Sequence, residues 1–372
     1  MTSILLLHVL VVLLAIILSQ IGVGSIETTV FRRFNIAYIS SFFILLAFLG
    51  CRVFLGRDWL TYESIFTSNF QQEFMMGESR EIGFLLLVQS LRFFDLDFQS
   101  FIFVTSFLML LLFYTSYRKF YFLLPFGIFV FFTNWGYTVT INTIRQGIAL
   151  MAFLNASLYI DSEEKHAGAK FLASVFIGFL FHYSILAFLP FYYIGRLKIN
   201  IGFFLTICIS IAIVSLFLIM PLYEDTISMV DKYEHYADAS YIVNENSSFG
   251  LGAILVLIIR LGPLFIYEYI RKYHPTFLKF FVLYYIGLSV YYGFFKFMLI
   301  TRVTFYLQFF ELFVMSYFIY YLFVEKKQYR IIGLGYIFLM LFNYVYTFKD
   351  FLADQLVSSR FSLMFMDFYY HI

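Results

Sequence analysis

The chain has 372 residues, of which 62% are hydrophobic, 23% aromatic and 13% charged, and its net charge is +2. A soluble domain is about 45–50% apolar and about 25% charged. This composition therefore excludes a soluble enzyme, a disordered chain and a nucleic-acid-binding protein with a basic face, and it predicts a polytopic membrane protein.

Apolar runs of spanning length recur along the whole chain. An extra apolar stretch at 83–94 is predicted to be an interfacial or re-entrant helix, and the first run lacks a positive n-region and a cleavage site, so we interpret it as a retained span. A transmembrane helix needs about 20 apolar residues, and we predict about twelve of them, near 3–21, 35–54, 98–116, 121–134, 143–160, 170–182, 184–195, 199–220, 249–270, 278–294, 302–323 and 331–348.

No repeat, linker or change of composition divides the chain, so we predict one multispan membrane domain over residues 1–372. Backbone groups in lipid must be paired within helices, which makes the predicted fold class all-α. Two cysteines, Cys51 and Cys208, have no partner at metal-ligand spacing, and we interpret them as small buried hydrophobic residues.

Lysine and arginine are unevenly distributed over the predicted loops, which predicts the orientation. With Lys170 and Glu268 counted at the membrane edge, one set of loops holds 14 cations against six acids, and we assign it to the cytoplasm. If successive loops alternate between the two sides of the membrane, the stretch 83–94 must not cross the membrane, and the run 170–195 must break into two short helices near His182. The cytoplasmic loops are 22–34, 117–120, 161–169, 196–198, 271–279 and 325–330, and the outer-face segments are 55–82, 221–248 and 349–372.

Charged residues follow the second predicted span on the outer side. Arg57 and Asp58 precede Trp59 and Tyr62, and a polar helix exit with two aromatic interface anchors is one interpretation. The other is a carboxylate flanked by guanidinium groups at the mouth of a cavity. Asp58 and Tyr62 are four residues apart, which places them on one face of a helix.

The next charged residues on the predicted outer side are Arg80 and Glu81. They belong to a short run of charges of alternating sign, which is typical of a solvated surface. Glu81 precedes an apolar helix, where a carboxylate stabilises the helix dipole. We therefore predict a structural role for Glu81 and leave Arg80 as a candidate anion-binding residue.

Arg145 and Gln146 open the fifth predicted span beside Gly147. A guanidinium at a helix N-terminus suits an anion, and the alternative is an arginine that snorkels to the interface. Arg302 opens a later span in the same way.

His182 coincides with the break that the predicted topology requires in the run 170–195. A broken helix at membrane depth is tolerated where it lines a cavity. The alternative is a histidine buried in the core.

Two further polar residues lie within apolar surroundings, and a charge at membrane depth is costly. Arg260 is in the middle of a predicted span and either faces the bundle interior toward Glu311 or marks a misplaced span. His8 in the first span is predicted to be a core residue. The chain has no Gly-rich phosphate loop, His/Cys metal cluster or Ser/His/Asp order. Several arginines near an apolar cavity suit a lipid-linked pyrophosphate better than a cation, so we predict no metal site and no cofactor.

Four short motifs occur in order between about residue 30 and residue 310, and with them the chain resembles the EpsG-like branch of the Wzy polysaccharide polymerases. Arg302-x3-Tyr306 is a weaker fifth motif, and Gly56-Arg57-Asp58-Trp59 departs from the usual Gly-x-Asp-Tyr pattern. The four motifs are Arg52-x4-Arg57-Asp58-x3-Tyr62, Glu81-x-Gly83-Phe84, Ile144-Arg145-Gln146-Gly147 and Phe181-His182-Tyr-Ser184-x3-Phe188-Leu-Pro190.

The resemblance implies a multispan enzyme of the bacterial cytoplasmic (inner) membrane with its active site facing the periplasm or exterior. Such enzymes build O-antigen or exopolysaccharide by transferring a growing chain from undecaprenyl pyrophosphate onto a lipid-linked repeat unit. The fold is by analogy similar to that of other lipid-dependent, GT-C type glycosyltransferases. The partners implied are undecaprenyl-pyrophosphate-linked oligosaccharides, membrane lipid, a chain-length regulator and a flippase, with no nucleic acid.

For that reaction, Asp58 or His182 would orient or deprotonate the acceptor hydroxyl. The leaving pyrophosphate needs positioned donors, and Arg145 and Arg302 are the first candidates. The further substrate-binding candidates are Arg57, Tyr62, Arg80 and Gln146. Two alternative functions remain open. One is a lipid-linked oligosaccharide transporter (a flippase), in which a broken helix and intramembrane charges are equally common. The other is an O-antigen ligase.

Overall fold

The computed structural model describes residues 2–28, 35–53, 55–56, 58–68, 81–215, 251–294, 298–357 and 362–363. Helices make up 82% of it. Its α-helices up to the middle of the chain are Thr2–Thr28 (α1), Ile36–Gly50 (α2), Trp59–Thr67 (α3), Ile82–Phe93 (α4), Phe98–Ser116 (α5), Leu124–Thr133 (α6), Gly136–Asn142 (α7), Ile144–Ser157 (α8) and Ala167–Phe179 (α9). The later α-helices are Phe191–Ile194 (α10), Ile201–Val214 (α11), Leu251–Leu261 (α12), Tyr267–Tyr273 (α13), Leu278–Gly293 (α14), Met298–Gln308 (α15), Glu311–Tyr320 (α16) and Arg330–Val357 (α17).

Short 3₁₀ segments and one π segment connect several of these helices. The extended elements of the described residues are Arg52–Val53 (β1) and Ser362–Leu363 (β2), which form an antiparallel pair with Arg52 opposite Leu363. Since this pair has only two residues in each strand and the other regular elements of the described residues are helices, the all-α prediction is confirmed. The connecting segments are Tyr121–Leu123, Tyr183–Phe188, Gly262–Ile266, Tyr321–Glu325 and Lys327–Tyr329.

Three helices, α8, α14 and α16, form the centre of the bundle, because nearly all of their residues are buried. Helix α8 packs on α5 and α9, α14 packs on α11 and α15, and α16 packs on α6. The peripheral helices instead expose apolar side chains: Ile331 and Phe338 of α17 are 83% and 67% exposed. Apolar surface of this kind is stable in lipid and not in water, and the chain is accordingly an integral membrane protein.

Helix length gives a smaller number of spans than we predicted from the sequence. Three helical stretches of the described residues are long and apolar enough to cross a membrane, Phe98–Ser116, Thr301–Glu325 and Lys327–Tyr346. A fourth is present if Tyr121–Thr133 and Gly136–Asn142, which are bent by 66°, are one broken span. The prediction of about twelve transmembrane helices is not confirmed, because many of the apolar runs form helices of only 10–17 residues.

The break that we predicted near His182 is present. Helix α9 ends at Phe179, His182 has an extended backbone, and a 3₁₀ segment begins at Tyr183. The predicted stretch at 83–94 forms the short helix α4. Helix α8 begins and helix α9 ends at the same end of the bundle, which we call the site end. The loop that joins these two helices lies at the opposite end.

Two features of the fold differ from the sequence prediction. A second break, at Asn134 and Trp135, separates α6 from α7, and we did not predict α7. Helix α17 continues to Val357, so the outer segment predicted from 349 begins as a continuation of this helix, because a helix can continue through charged residues once it leaves the membrane. Residues 221–248, and residues 57 and 69–80 of the predicted segment 55–82, lie outside the described residues.

Candidate functional site

Side chains from segments far apart in the sequence meet at the break after α9. The Arg145 Nη1 atom lies 2.8 Å from Glu81 Oε2, and the His182 Nδ1 atom lies 3.1 Å from Glu81 Oε1. Glu81 occupies the N-cap position of α4, but its side chain makes no hydrogen bond to that helix. Both carboxylate oxygens therefore serve the two other segments, and the imidazole and the guanidinium are close neighbours.

The position of Glu81 depends on the close contact between α4 and the end of α9. The backbone N–H groups of Gly83 and Phe84 both donate to the carbonyl of Leu180, at 2.8 Å and 3.3 Å. A Cβ atom on Gly83 would lie 2.6 Å from the Leu180 Cβ and 2.8 Å from its carbonyl oxygen. Only glycine permits this approach, which explains the spacing of the Glu81-x-Gly83 motif.

Replacing Gly83 by alanine is therefore expected to separate α4 from Leu180. Overpacking of this kind typically costs about 1–3 kcal/mol, so the apparent Tm in detergent should fall and chain extension should fall with it. Gly335→Ala is the matched control, because a Cβ on Gly335 in α17 meets nothing within 4 Å. An equal Tm for the two variants would contradict the role assigned to Gly83.

Arg145 is the one residue of α8 that is not buried. Its guanidinium is centred 5.3 Å from the middle of the Phe84 ring, a cation–π arrangement, and Tyr62 of α3 lies within its electrostatic reach. About a quarter of the side chain (23%) remains exposed. The guanidinium is therefore fixed on two sides and still accessible to an anion.

Electrostatics favour the charged form of this cluster. Burial raises the pKa of Glu81, but the hydrogen bond with His182 and the charge of Arg145 outweigh burial and hold this pKa below its usual range. The pairing therefore stabilises the folded chain above the unfolded pKa of about 4.3, and this contribution is lost as the pH falls through the folded value. Burial raises the pKa of Tyr62, Arg145 opposes this, and Asp58 adds to it.

Helix α15 closes the other side of the site. The Ser184 hydroxyl, two residues after His182, lies 3.1 Å from the Tyr306 hydroxyl, and the Gln146 side-chain amide donates to the backbone carbonyl of Arg302 at 2.8 Å. Gln146 is therefore a structural contact in addition to a candidate ligand. The Arg302 side chain is exposed and lies one helical turn from Tyr306, on the same face of α15.

The remaining sequence candidates lie at or beyond the edge of this cluster. Asp58 is at the N-cap position of α3 and is partly buried, and both Asp58 and Arg145 act electrostatically on Tyr62. Trp59 and Tyr62 are each 6% exposed and pack against Phe98 and Phe84 respectively. The interpretation of these two aromatics as interface anchors is therefore wrong, because both are in the interior. Arg57 and Arg80 lie outside the described residues.

Two buried arginines are separate from the site. The Arg52 guanidinium bonds the Leu49 carbonyl and the Ser106 hydroxyl. Arg260 lies over the Tyr291 ring at 5.5 Å and within electrostatic reach of Glu311, so it faces the bundle interior. His8 is in contact with four aromatic rings and is a core residue, as we predicted.

Glu81 is the site residue whose partners the sequence analysis missed. It lies at the start of a helix, as we predicted, but its carboxylate also joins Arg145 to His182. The Glu-x-Gly-aromatic spacing was the available signal. The assembled groups combine a partly exposed cation with an imidazole that has one nitrogen occupied, which suits the binding of an anion next to a proton transfer.

A known protein family matches most of the chain. A family model described as the EpsG family matches residues 35–361, a range that contains every residue of the site. No curated protein and no solved structure matches the chain.

Proposed function

Because the chain belongs to the EpsG family of Wzy-like polymerases, we propose that it is a polysaccharide polymerase with a specific lipid-linked substrate. It transfers a growing glycan from undecaprenyl pyrophosphate onto a lipid-linked repeat unit at the outer face of the bacterial cytoplasmic membrane. The product is O-antigen or exopolysaccharide. A chain-length regulator and a flippase are the protein partners that such a pathway needs.

The observation that carries this proposal is the shared carboxylate of Glu81, which holds Arg145 and His182 side by side. Transfer from a diphosphate needs positioned donors for the charge that develops on the leaving group, and Arg145 is held for that purpose. It also needs a group that accepts or orients the hydroxyl proton of the incoming sugar, and His182 and Asp58 are the candidates.

The other substrate-binding assignments follow from position. Arg302 is exposed on the same face of α15 as Tyr306, where it can add a second guanidinium to the diphosphate site. Tyr62 interacts with the Arg145 guanidinium, and the Gln146 side-chain amide donates to the backbone carbonyl of Arg302. Arg57 and Arg80 belong to the segments that precede and follow α3, and we propose that they bind the outer phosphate or sugar groups.

A reconstitution experiment tests the proposal. Purified protein in vesicles is supplied with undecaprenyl-pyrophosphate-linked repeat units, and the products are separated by length. Polymerase activity gives a ladder of longer glycans on the lipid carrier. Translocation without extension would indicate the transporter alternative, and transfer to a different acceptor would indicate a ligase; either result would refute the proposal.

The proposed orientation is open to a labelling test. Ser64 in α3 is exposed near the site end, and Lys165 is exposed at the opposite end. In a variant that lacks Cys51 and Cys208, a membrane-impermeant thiol reagent is expected to label Ser64→Cys in intact spheroplasts and Lys165→Cys only after lysis, because the cation-rich loops face the cytoplasm. The reverse pattern would contradict the orientation.

A further inference from the structure

The two ring nitrogens of His182 have different surroundings. Nδ1 lies 3.1 Å from Glu81 Oε1, whereas Nε2 has no hydrogen-bond partner among the described residues, and 30% of the side chain is exposed. An ionised carboxylate can only accept a hydrogen bond. Nδ1 therefore carries the proton in neutral His182, and the lone pair on Nε2 is directed away from Glu81.

Glu81 is poorly placed to touch a substrate itself. Only 10% of its side chain is exposed, and its two oxygens are occupied by His182 and Arg145. Its effect on a reaction must pass through these two residues, which are both more exposed than Glu81. One carboxylate thus fixes the orientation of a base and of an anion-binding group together.

We propose that Glu81 is a positioning residue, which holds His182 with Nε2 as the proton acceptor for the incoming sugar hydroxyl and holds Arg145 at the leaving diphosphate. This inference rests on the proposed polymerase function and deepens it by selecting His182 over Asp58. His182 is in direct contact with Glu81, whereas Asp58 is placed in this region by its electrostatic effect on Tyr62.

The step balances without a further reactant. The acceptor hydroxyl oxygen forms a bond to the anomeric carbon of the donor glycan while its proton passes to His182 Nε2. The bond from the anomeric carbon to the diphosphate oxygen breaks, and its electron pair leaves with undecaprenyl pyrophosphate, whose charge Arg145 meets. His182 then returns the proton to solvent.

The pH behaviour of His182 depends on the charged and titratable groups that surround it. Glu81 contacts it from α4, Arg145 of α8 lies on the other oxygen of Glu81, and Tyr306 of α15 reaches it through Ser184 and lies near Glu81. Tyr62 of α3 lies beyond Arg145 and is influenced by Asp58. The negative charge nearest to the imidazole is therefore that of Glu81.

The test measures the pH dependence of chain extension in Glu81→Gln. The amide oxygen can still accept the Nδ1 hydrogen bond, but the negative charge that favours a protonated imidazole is removed. The acidic limb of the pH–rate profile should therefore move to lower pH, because a proton acceptor next to an uncharged amide is less basic than one next to a carboxylate. Glu63→Gln, which changes another carboxylate of the same region, is the matched control and should keep the wild-type profile.

Glu81→Ala removes both the charge and the orientation. We expect kcat to fall by about 10²–10⁴, the usual contribution of a general base, with a much smaller change in KM. In the His182→Ala background the same substitution should cost clearly less than in the wild-type protein, because the part of its effect that passes through His182 is already lost and only the part that passes through Arg145 remains. Multiplication of the two losses in the double variant would overturn the inference.

The controls separate this inference from the proposed function. If the wild-type protein extends no lipid-linked chain, the proposed function fails. If it extends chains and Glu81→Gln keeps the wild-type acidic limb, the positioning role fails while the polymerase assignment stands. Should Glu81→Ala fail to fold, Glu81→Gln has nearly the same volume and decides the question alone.

Discussion

Replacing Arg145 by alanine is expected to lower the rate of chain extension by roughly 10²–10³, the usual cost of losing one donor to a developing negative charge. The guanidinium is fixed between Glu81 and the Phe84 ring, so it meets the leaving diphosphate without reorganisation. In cells, long polysaccharide chains should disappear while the protein level in the membrane is unchanged.

Two conservative variants separate charge from geometry at Arg145. Arg145→Lys keeps the charge but offers a point charge in place of a planar pair of donors, so it should rescue extension only in part. Arg145→Gln can still donate to Glu81 and should be as inactive as alanine. The matched control is Arg196→Ala, whose guanidinium also lies over an aromatic ring, that of Tyr192, at the opposite end of the bundle.

The experiment is decided by rates measured on purified, folded variants. Each protein is reconstituted at equal amount, its apparent Tm is recorded, and extension is followed over time. If Arg145→Ala has a normal Tm and the same extension rate as Arg196→Ala, Arg145 is an interface anchor and the site assignment is wrong.

The sequence predicted individual polar residues better than their partners. Arg145 and His182 were recognisable because a charge or an imidazole in apolar surroundings is costly and visible in one dimension. The function of Glu81 was not, since its partners are 64 and 101 residues away and the local run of charges is typical of a solvated rim. A short motif containing glycine gave the clue, but only the contact with Leu180 explains it.

Helix lengths were the weakest part of the sequence prediction. A window of about 20 apolar residues detects hydrophobicity but not a change of helix direction. The predicted span 302–323 corresponds to the stretch Thr301–Glu325, whereas the helices Tyr121–Thr133 and Gly136–Asn142 are bent by 66° at a break that hydrophobicity alone did not indicate. The break at His182 was predicted only because the charge distribution required it, and no such requirement pointed to Asn134.

The interior pair Arg260 and Glu311 is expected to dominate the stability of the second half of the bundle. Arg260 of α12 is 9% exposed and Glu311 of α16 is 1% exposed, and each lies in the electrostatic field of the other. Removing one partner leaves a buried charge without compensation, which costs about 3–5 kcal/mol. Arg260→Met should therefore lower the apparent Tm in detergent strongly.

The double variant Arg260→Met/Glu311→Gln gives the decisive comparison. It removes both ionisable groups, and replacing two buried, mutually attracting charged groups by uncharged side chains of similar volume is often neutral or stabilising by about 1–4 kcal/mol, so much of the lost Tm should return. Arg271→Met is the matched control, because its partner Glu268 lies 2.6 Å away on an exposed surface, where such a pair contributes only about 0–1 kcal/mol. A Tm loss in Arg260→Met no larger than that in Arg271→Met would show that the two buried charges do not compensate each other.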